Sequence, residues 1–207
     1  MEPQLKKLES LLAEGKIRVE TMADSAAWFS GAHKLTPPMT FQASGDWDPK
    51  RNLSAQWYAC SNYRVGFLGE EGHLRIRDFF LYRQDYPSRY LDAPMHCAKS
   101  NFDALPVLFP QIWIGQLVQR PFIRLLDEKG AEPTGTIRYK ALDEITAQAS
   151  LEEPENGQPS PCFTLYPDRM VLAGNYRLHF DYLPVFHSLE GKRVVLRHEG
   201  FSYDFEV

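Results

Sequence analysis

Residues 201–207 read Phe201-Ser202-Tyr203-Asp204-Phe205-Glu206-Val207, an apolar side chain at every second position with a polar one between. Only an extended chain, whose side chains repeat with period two, gathers those apolar groups on one face. The run therefore reads as a strand integral to a sheet, packed on one side and wet on the other. Val194 and Leu196 precede it and lead through Glu199-Gly200, which supplies a turn, so the C-terminus reads as a hairpin.

The same pattern appears far upstream. Tyr63, Val65 and Phe67 alternate with Arg64 and Gly66, the segment Gly69-Glu70-Glu71-Gly72 provides turn chemistry, and Leu74 and Ile76 alternate with Arg75 and Arg77. Further strands are expected at 122–126 before the turn Asp127-Glu128-Lys129-Gly130, at 136–142, at 163–166, and over 170–180 folded about Gly174-Asn175. Trp57-Tyr58 lies on a strand, where adjacent residues take opposite faces, so one ring is expected in the core and the other outside. Thirteen Phe and ten Tyr suit pleated, half-buried surfaces. Helical stretches long enough for βαβ crossovers are missing, which excludes a parallel sheet. The fold class is mainly β: an antiparallel β-sandwich or barrel-like sheet.

Three segments stand apart from that pattern. Leu5, Leu8, Leu11 and Leu12 recur at helical spacing among Lys6, Lys7, Glu9 and Glu14, and Gly15 is placed to stop the helix, so 1–15 reads as one short N-terminal helix. Its leucine stripe is expected to cover an end or edge of the sheet, or to serve as a dimer contact. The stretch 85–110 carries Pro87, Pro94, Pro106 and Pro110 among aromatic residues and reads as a long excursion over one end of the sheet. Residues 152–161, rich in Glu, Pro, Gly and Ser, read as a mobile loop within a single β-rich domain spanning 1–207.

Composition narrows the partners. The net charge is −4 with the signs interspersed, whereas a protein that neutralises many phosphates gathers its Lys and Arg on one face; nucleic acid is not expected. Local basic patches stay open, because net charge does not say how Arg75, Arg77, Arg193 and Arg197 are distributed. No apolar run approaches the roughly 20 residues that span a bilayer. The N-terminal lysines and glutamates do not resemble a signal peptide, so a cytoplasmic location is expected, or export if the chain is a domain of a larger exported protein. Cys60, Cys97 and Cys162 are odd in number and far apart, which suits reduced thiols.

No phosphate loop, dinucleotide fingerprint, nucleophile elbow or H-E-x-x-H motif is present, and no cofactor is expected. The nearest metal pattern is His179-x-Asp181 followed by His187, the ligand types of a two-histidine, one-carboxylate iron site; a solvated strand face explains the same residues and is preferred. His96 beside Cys97 fails as a base and nucleophile, since neighbours on an extended segment diverge. Asp46-Trp47-Asp48 sets an aromatic face between two carboxylates after Gly45 and before Pro49, a combination used in sugar sites. A turn whose tryptophan caps the core explains the same residues and is preferred, because Asp and Pro dominate turns for local reasons. Tyr86 and Tyr90 bring rings into the Pro-rich excursion, where they either bind or pin the loop, and Trp113 follows it.

The functional expectation is a ligand-binding or accessory β-domain, carbohydrate being the ligand class in view, with Asp46, Trp47, Asp48, Tyr86, Tyr90 and Trp113 as binding candidates. One alternative is a hydrolase that uses carboxylates, Asp46 or Asp48, or a metal at His179, Asp181 and His187. The other is a structural or interaction subunit, with homo-oligomer formation through the first helix or the last strand.

Overall fold

The computed structural model describes residues 2–45, 52–82, 107–109, 123–152, 159–180, 186–190, 193–198 and 201–206. Two compact units are present, Met1–Thr36 and Pro37–Val207.

In the first unit, α1 spans Glu2–Ala13 and stops where Gly15 takes φ +68, the left-handed conformation that closes a helix C-terminus. A second helix, α2 (Met22–Ala32), was not anticipated, because MADSAAWFSGA carries no clean apolar stripe. Its start is nevertheless marked: the Thr21 hydroxyl accepts a hydrogen bond from the Asp24 backbone N–H at 3.1 Å, an N-cap. Neither helix buries a residue, and Leu5, Leu8 and Leu12 are exposed.

The second unit is mainly antiparallel β, its two larger sheets sharing one core as in a sandwich, and no closed barrel forms among the described residues. Its strands are β1 (Met39–Ser44), β2 (Ser54–Ala59), β3 (Tyr63–Glu70), β4 (His73–Leu81), β5 (Val107–Phe109), β6 (Ile123–Leu126), β7 (Thr136–Ala141), β8 (Ala147–Glu152), β9 (Cys162–Leu165), β10 (Met170–Ala173), β11 (Arg177–Phe180), β12 (Phe186–Glu190), β13 (Arg193–His198) and β14 (Phe201–Glu206). The large sheet runs β1-β2-β3-β4-β6-β11, with β5 also on β4; the second runs β10-β9-β8-β7; a third is the meander β12-β13-β14. The C-terminal hairpin forms as expected, but its last strand is an edge of this small third sheet. The expected fold of 170–180 about Gly174-Asn175 is corrected: β10 pairs with β9 and β11 with β6, so the chain changes sheets there, at a glycine with φ +105. Of the Pro-rich excursion the described part is β5, which pairs with β4; 153–158 of the expected loop lie outside the described residues.

The hairpin of β3 and β4 forms as read. Glu70 pairs with His73, and the two residues between, Glu71 and Gly72, have φ +52 and +80, the left-handed pair that a two-residue hairpin turn demands. The inward residues Tyr58, Tyr63, Val65, Phe67, Leu74 and Ile76 form one core with Ala149, Leu151, Phe163 and Leu165 of the second sheet. Phe67 meets Phe163 at 5.0 Å between ring centroids, a tilted aromatic pair between the two sheets.

Buried phenols end on backbone carbonyls. The Tyr58 hydroxyl donates to the Ile145 carbonyl at 2.7 Å, and that of Tyr63 to the Tyr166 carbonyl at 2.7 Å, so both sheets are tied at one end. The turn that receives Tyr58 is itself fixed by the Asp143 carboxylate, which accepts from the N–H groups of Ile145 and Thr146.

Burial pushes the Tyr58 and Tyr63 phenols well above the ordinary tyrosine value, and that of Tyr139 up to about 12. The unfolded chain loses these protons first, so their contribution is whole below about pH 10 and declines as pH rises from there. We expect denaturant midpoints to stay level from neutral pH to about pH 10 and to fall above it, less steeply in Tyr139→Phe. A wild-type midpoint unchanged up to about pH 12 would contradict the burial described here.

Candidate functional site

Most residues singled out from the sequence, namely Asp46, Trp47, Asp48, Tyr86, Tyr90, Trp113 and Asp181, lie outside the described residues. His179 stands exposed on β11, directly opposite Arg124 of β6, where a cationic neighbour disfavours a metal ion. His187 is on β12 in the third sheet, opposite Leu196, so the two histidines belong to different sheets. Among the described residues no group of three metal-ligating side chains comes together.

A different constellation occupies the outer face of the large sheet, the face turned away from the second sheet. Its origin is an irregularity in strand pairing. Phe67 pairs with Ile76 but Gly66 pairs with Asp78, leaving Arg77 as an extra residue on β4. Such a two-against-one bulge interrupts the alternation of side chains. Leu74 and Ile76 face the core before it, Phe79 and Leu81 pack on the core after it, and Arg77 and Asp78 meet on the outer face. The far side of β4 changes partner at the same place, from β6 at Arg75 and Ile76 to β5 at Phe79 and Phe80.

Gly66 makes room for this. A Cβ there would stand 2.5 Å from Asp78 Oδ2 and 3.0 Å from Trp57 Nε1, so the carboxylate and the indole both occupy space that any other residue would fill. Asp78 is 3% exposed. Arg77 Nε donates to its Oδ2 at 3.3 Å, and Arg64 Nε lies 3.4 Å from its Oδ1. Each guanidinium also lies over a ring: that of Arg77 is 4.7 Å from the Trp57 centroid and that of Arg64 is 4.1 Å from Phe80. Phe41, opposite Trp57 in the register, extends the apolar part of this face and is exposed. Trp57 and Tyr58 divide as expected, Tyr58 in the core and Trp57 outside.

The electrostatics are asymmetric. Among the described residues two guanidiniums face one buried carboxylate, leaving one positive charge in excess, and 39% of the Arg64 side chain is open to solvent. Arg64 Nε and Asp78 Oδ1 are buried without a hydrogen-bond partner among the described residues, their approach lacking the required alignment. The arginine one row away is closed by contrast: Arg75 grips Glu132 with two hydrogen bonds, Nε to Oε1 at 2.6 Å and Nη2 to Oε2 at 3.0 Å. The first cluster thus leaves part of the Arg64 side chain open to solvent, whereas the second holds the hairpin against the loop before β7. The sequence held one signal of the cluster, a glycine, Gly66, inside a strand and two consecutive charged residues, Arg77-Asp78, that break the alternation of the next.

Comparison with protein-family models, with curated proteins and with solved structures finds no match to this chain. No helix is long and apolar enough to cross a membrane among the described residues. Cys60 and Cys162 are free thiols, and burial raises the pKa of the latter, opposing thiolate chemistry there.

If Gly66 is kept open for Asp78 and Trp57, Gly66→Ala forces both to move and costs about 1–3 kcal/mol of stability. Urea unfolding measures it directly. A variant as stable as the parent would show that the space is not needed.

Proposed function

We propose that the chain is a ligand-binding β-domain whose binding surface is the outer face of the large sheet, with carbohydrate as the ligand class. One observation carries this reading: Phe41, Trp57 and Phe80 share that face with two guanidiniums placed over rings, and the strands that carry Trp57 and Phe80 pack their other face on the core. Aromatic surface suits the apolar face of a pyranose, and fixed polar groups beside it supply orientation. Building them on strands rather than on a loop keeps the arrangement preorganised, which lowers the entropy lost on binding.

The hydrolase alternative draws less support from the described residues. Glycoside cleavage uses two carboxyl groups facing each other across the bond, and Asp78 is a single carboxylate enclosed between arginines. The loop candidates Asp46, Trp47, Asp48, Tyr86, Tyr90 and Trp113 form a second surface to be tested beside the first.

Calorimetric titration with a panel of oligosaccharides, repeated on Trp57→Ala, Phe41→Ala and Trp47→Ala, separates the two surfaces. We expect at least one sugar to bind and both outer-face variants to lose about tenfold or more in affinity, the range in which a buried aromatic contact acts. Loss confined to Trp47→Ala would move the site to the loop. Absence of binding across the panel would end the carbohydrate reading.

A further inference from the structure

We propose that the saccharide taken by this face is acidic, a uronate-bearing chain whose carboxylate is received by Arg64 together with Arg77, and that Asp78 is the residue that positions both arginines. This rests on the reading of the outer face as a ligand surface.

Charge is the first ground. Among the described residues Asp78 answers two guanidiniums with one negative charge, so the cluster retains a positive excess that neutral sugar leaves uncompensated and a carboxylate removes. Orientation is the second. A free arginine loses side-chain entropy on gripping an anion, whereas here the Arg64 and Arg77 guanidiniums already lie over Phe80 and Trp57 and both approach Asp78. Access is the third. The Arg64 Nε is buried beside Asp78 Oδ1 at 3.4 Å, so it is turned to the carboxylate, while 39% of the side chain stays open to solvent and is the part an anion can reach.

The amount of charge selects among anions. A nucleic acid requires a row of uncompensated cations, but Arg75 on this face is bound by Glu132, and Arg64 and Arg77 share Asp78. One excess charge beside exposed Phe41 matches a chain with spaced carboxylates and apolar ring faces.

The test uses the full chain and two probes of equal length, an oligogalacturonate and a neutral galacto-oligosaccharide, titrated at about 0.05 M and about 0.3 M salt. Arg64→Gln is expected to weaken oligogalacturonate binding about tenfold or more, with binding of the parent weaker at the higher salt. Asp78→Asn is the discriminating variant. It makes the cluster more positive, so a purely coulombic role predicts tighter binding of the acid, whereas a positioning role predicts weaker binding. Should Asp78→Asn fail to fold, as melting would show, Arg64→Gln and Arg64→Lys at the more exposed position still decide, Lys keeping the charge but not the stacked fork.

Weaker binding of the acid by Arg64→Gln and by folded Asp78→Asn, with the neutral probe bound poorly throughout, supports the inference. Equal affinity for both probes overturns it and leaves the sugar platform standing, while binding of neither removes the platform as well. Tighter binding by Asp78→Asn overturns the positioning role. Arg64-dependent binding of an acidic peptide or single-stranded oligonucleotide in preference to oligogalacturonate overturns the saccharide assignment.

Discussion

Strand pairing that skips one residue brings Arg77 and Asp78 together on the outer face of the large sheet, and the cluster there depends on it. Were β3 and β4 paired without interruption, Arg77 and Asp78 would alternate and one of the two would be driven toward the core formed by Ile76, Phe79 and Phe163. The extra residue absorbs the mismatch. Apolar side chains of β4 reach the core on both sides of the bulge, and two consecutive charged residues meet outside. The arrangement also needs Gly66, because the volume claimed by the Asp78 carboxylate is the volume of a missing side chain. A local departure from regular structure is thereby converted into a placed charge.

A carboxylate with so little contact with water is unfavourable unless it is matched. Here the match comes from two arginines that also cover aromatic rings, so packing and charge support one another. Ion pairs of this kind contribute little net stability against an apolar alternative, but removing one partner alone is costly, since it strands the other. The cluster is therefore poorly explained as a device for stability. The core between the sheets, built by Phe67, Phe163 and their neighbours, supplies the cohesion, and the outer face draws on it.

Particular residues show how far the sequence could be read. Tyr63 to Arg77 announced a hairpin through period two and a glycine-bearing turn, and both appear, the turn itself narrowed to Glu71-Gly72. Tyr58 and Trp57 separated to opposite faces because adjacent residues on a strand must. The large sheet's partners were less legible, since which strand lies beside which depends on contacts distant in sequence: nothing local in Met170 to Phe180 tells that the chain leaves one sheet for the other at Gly174. Helix α2 escaped because its apolar residues form no stripe, though Thr21 and Asp24 already carried the cap. The Asp78 cluster escaped for a related reason. Its members come from three strands, and only the bulge, a property of pairing rather than of composition, brings Arg77 and Asp78 to the same side.

The arrangement of Arg64 and Arg77 over their rings can be observed without any ligand, by NMR of arginine side chains. Guanidinium groups held above Trp57 and Phe80 and against Asp78 should give Nε–H signals displaced by ring currents and slow to exchange with water, and the displacement at Arg77 should vanish in Trp57→Ala. Signals for both arginines at free-arginine positions, exchanging rapidly and indifferent to that substitution, would contradict the cluster and the ligand surface built on it.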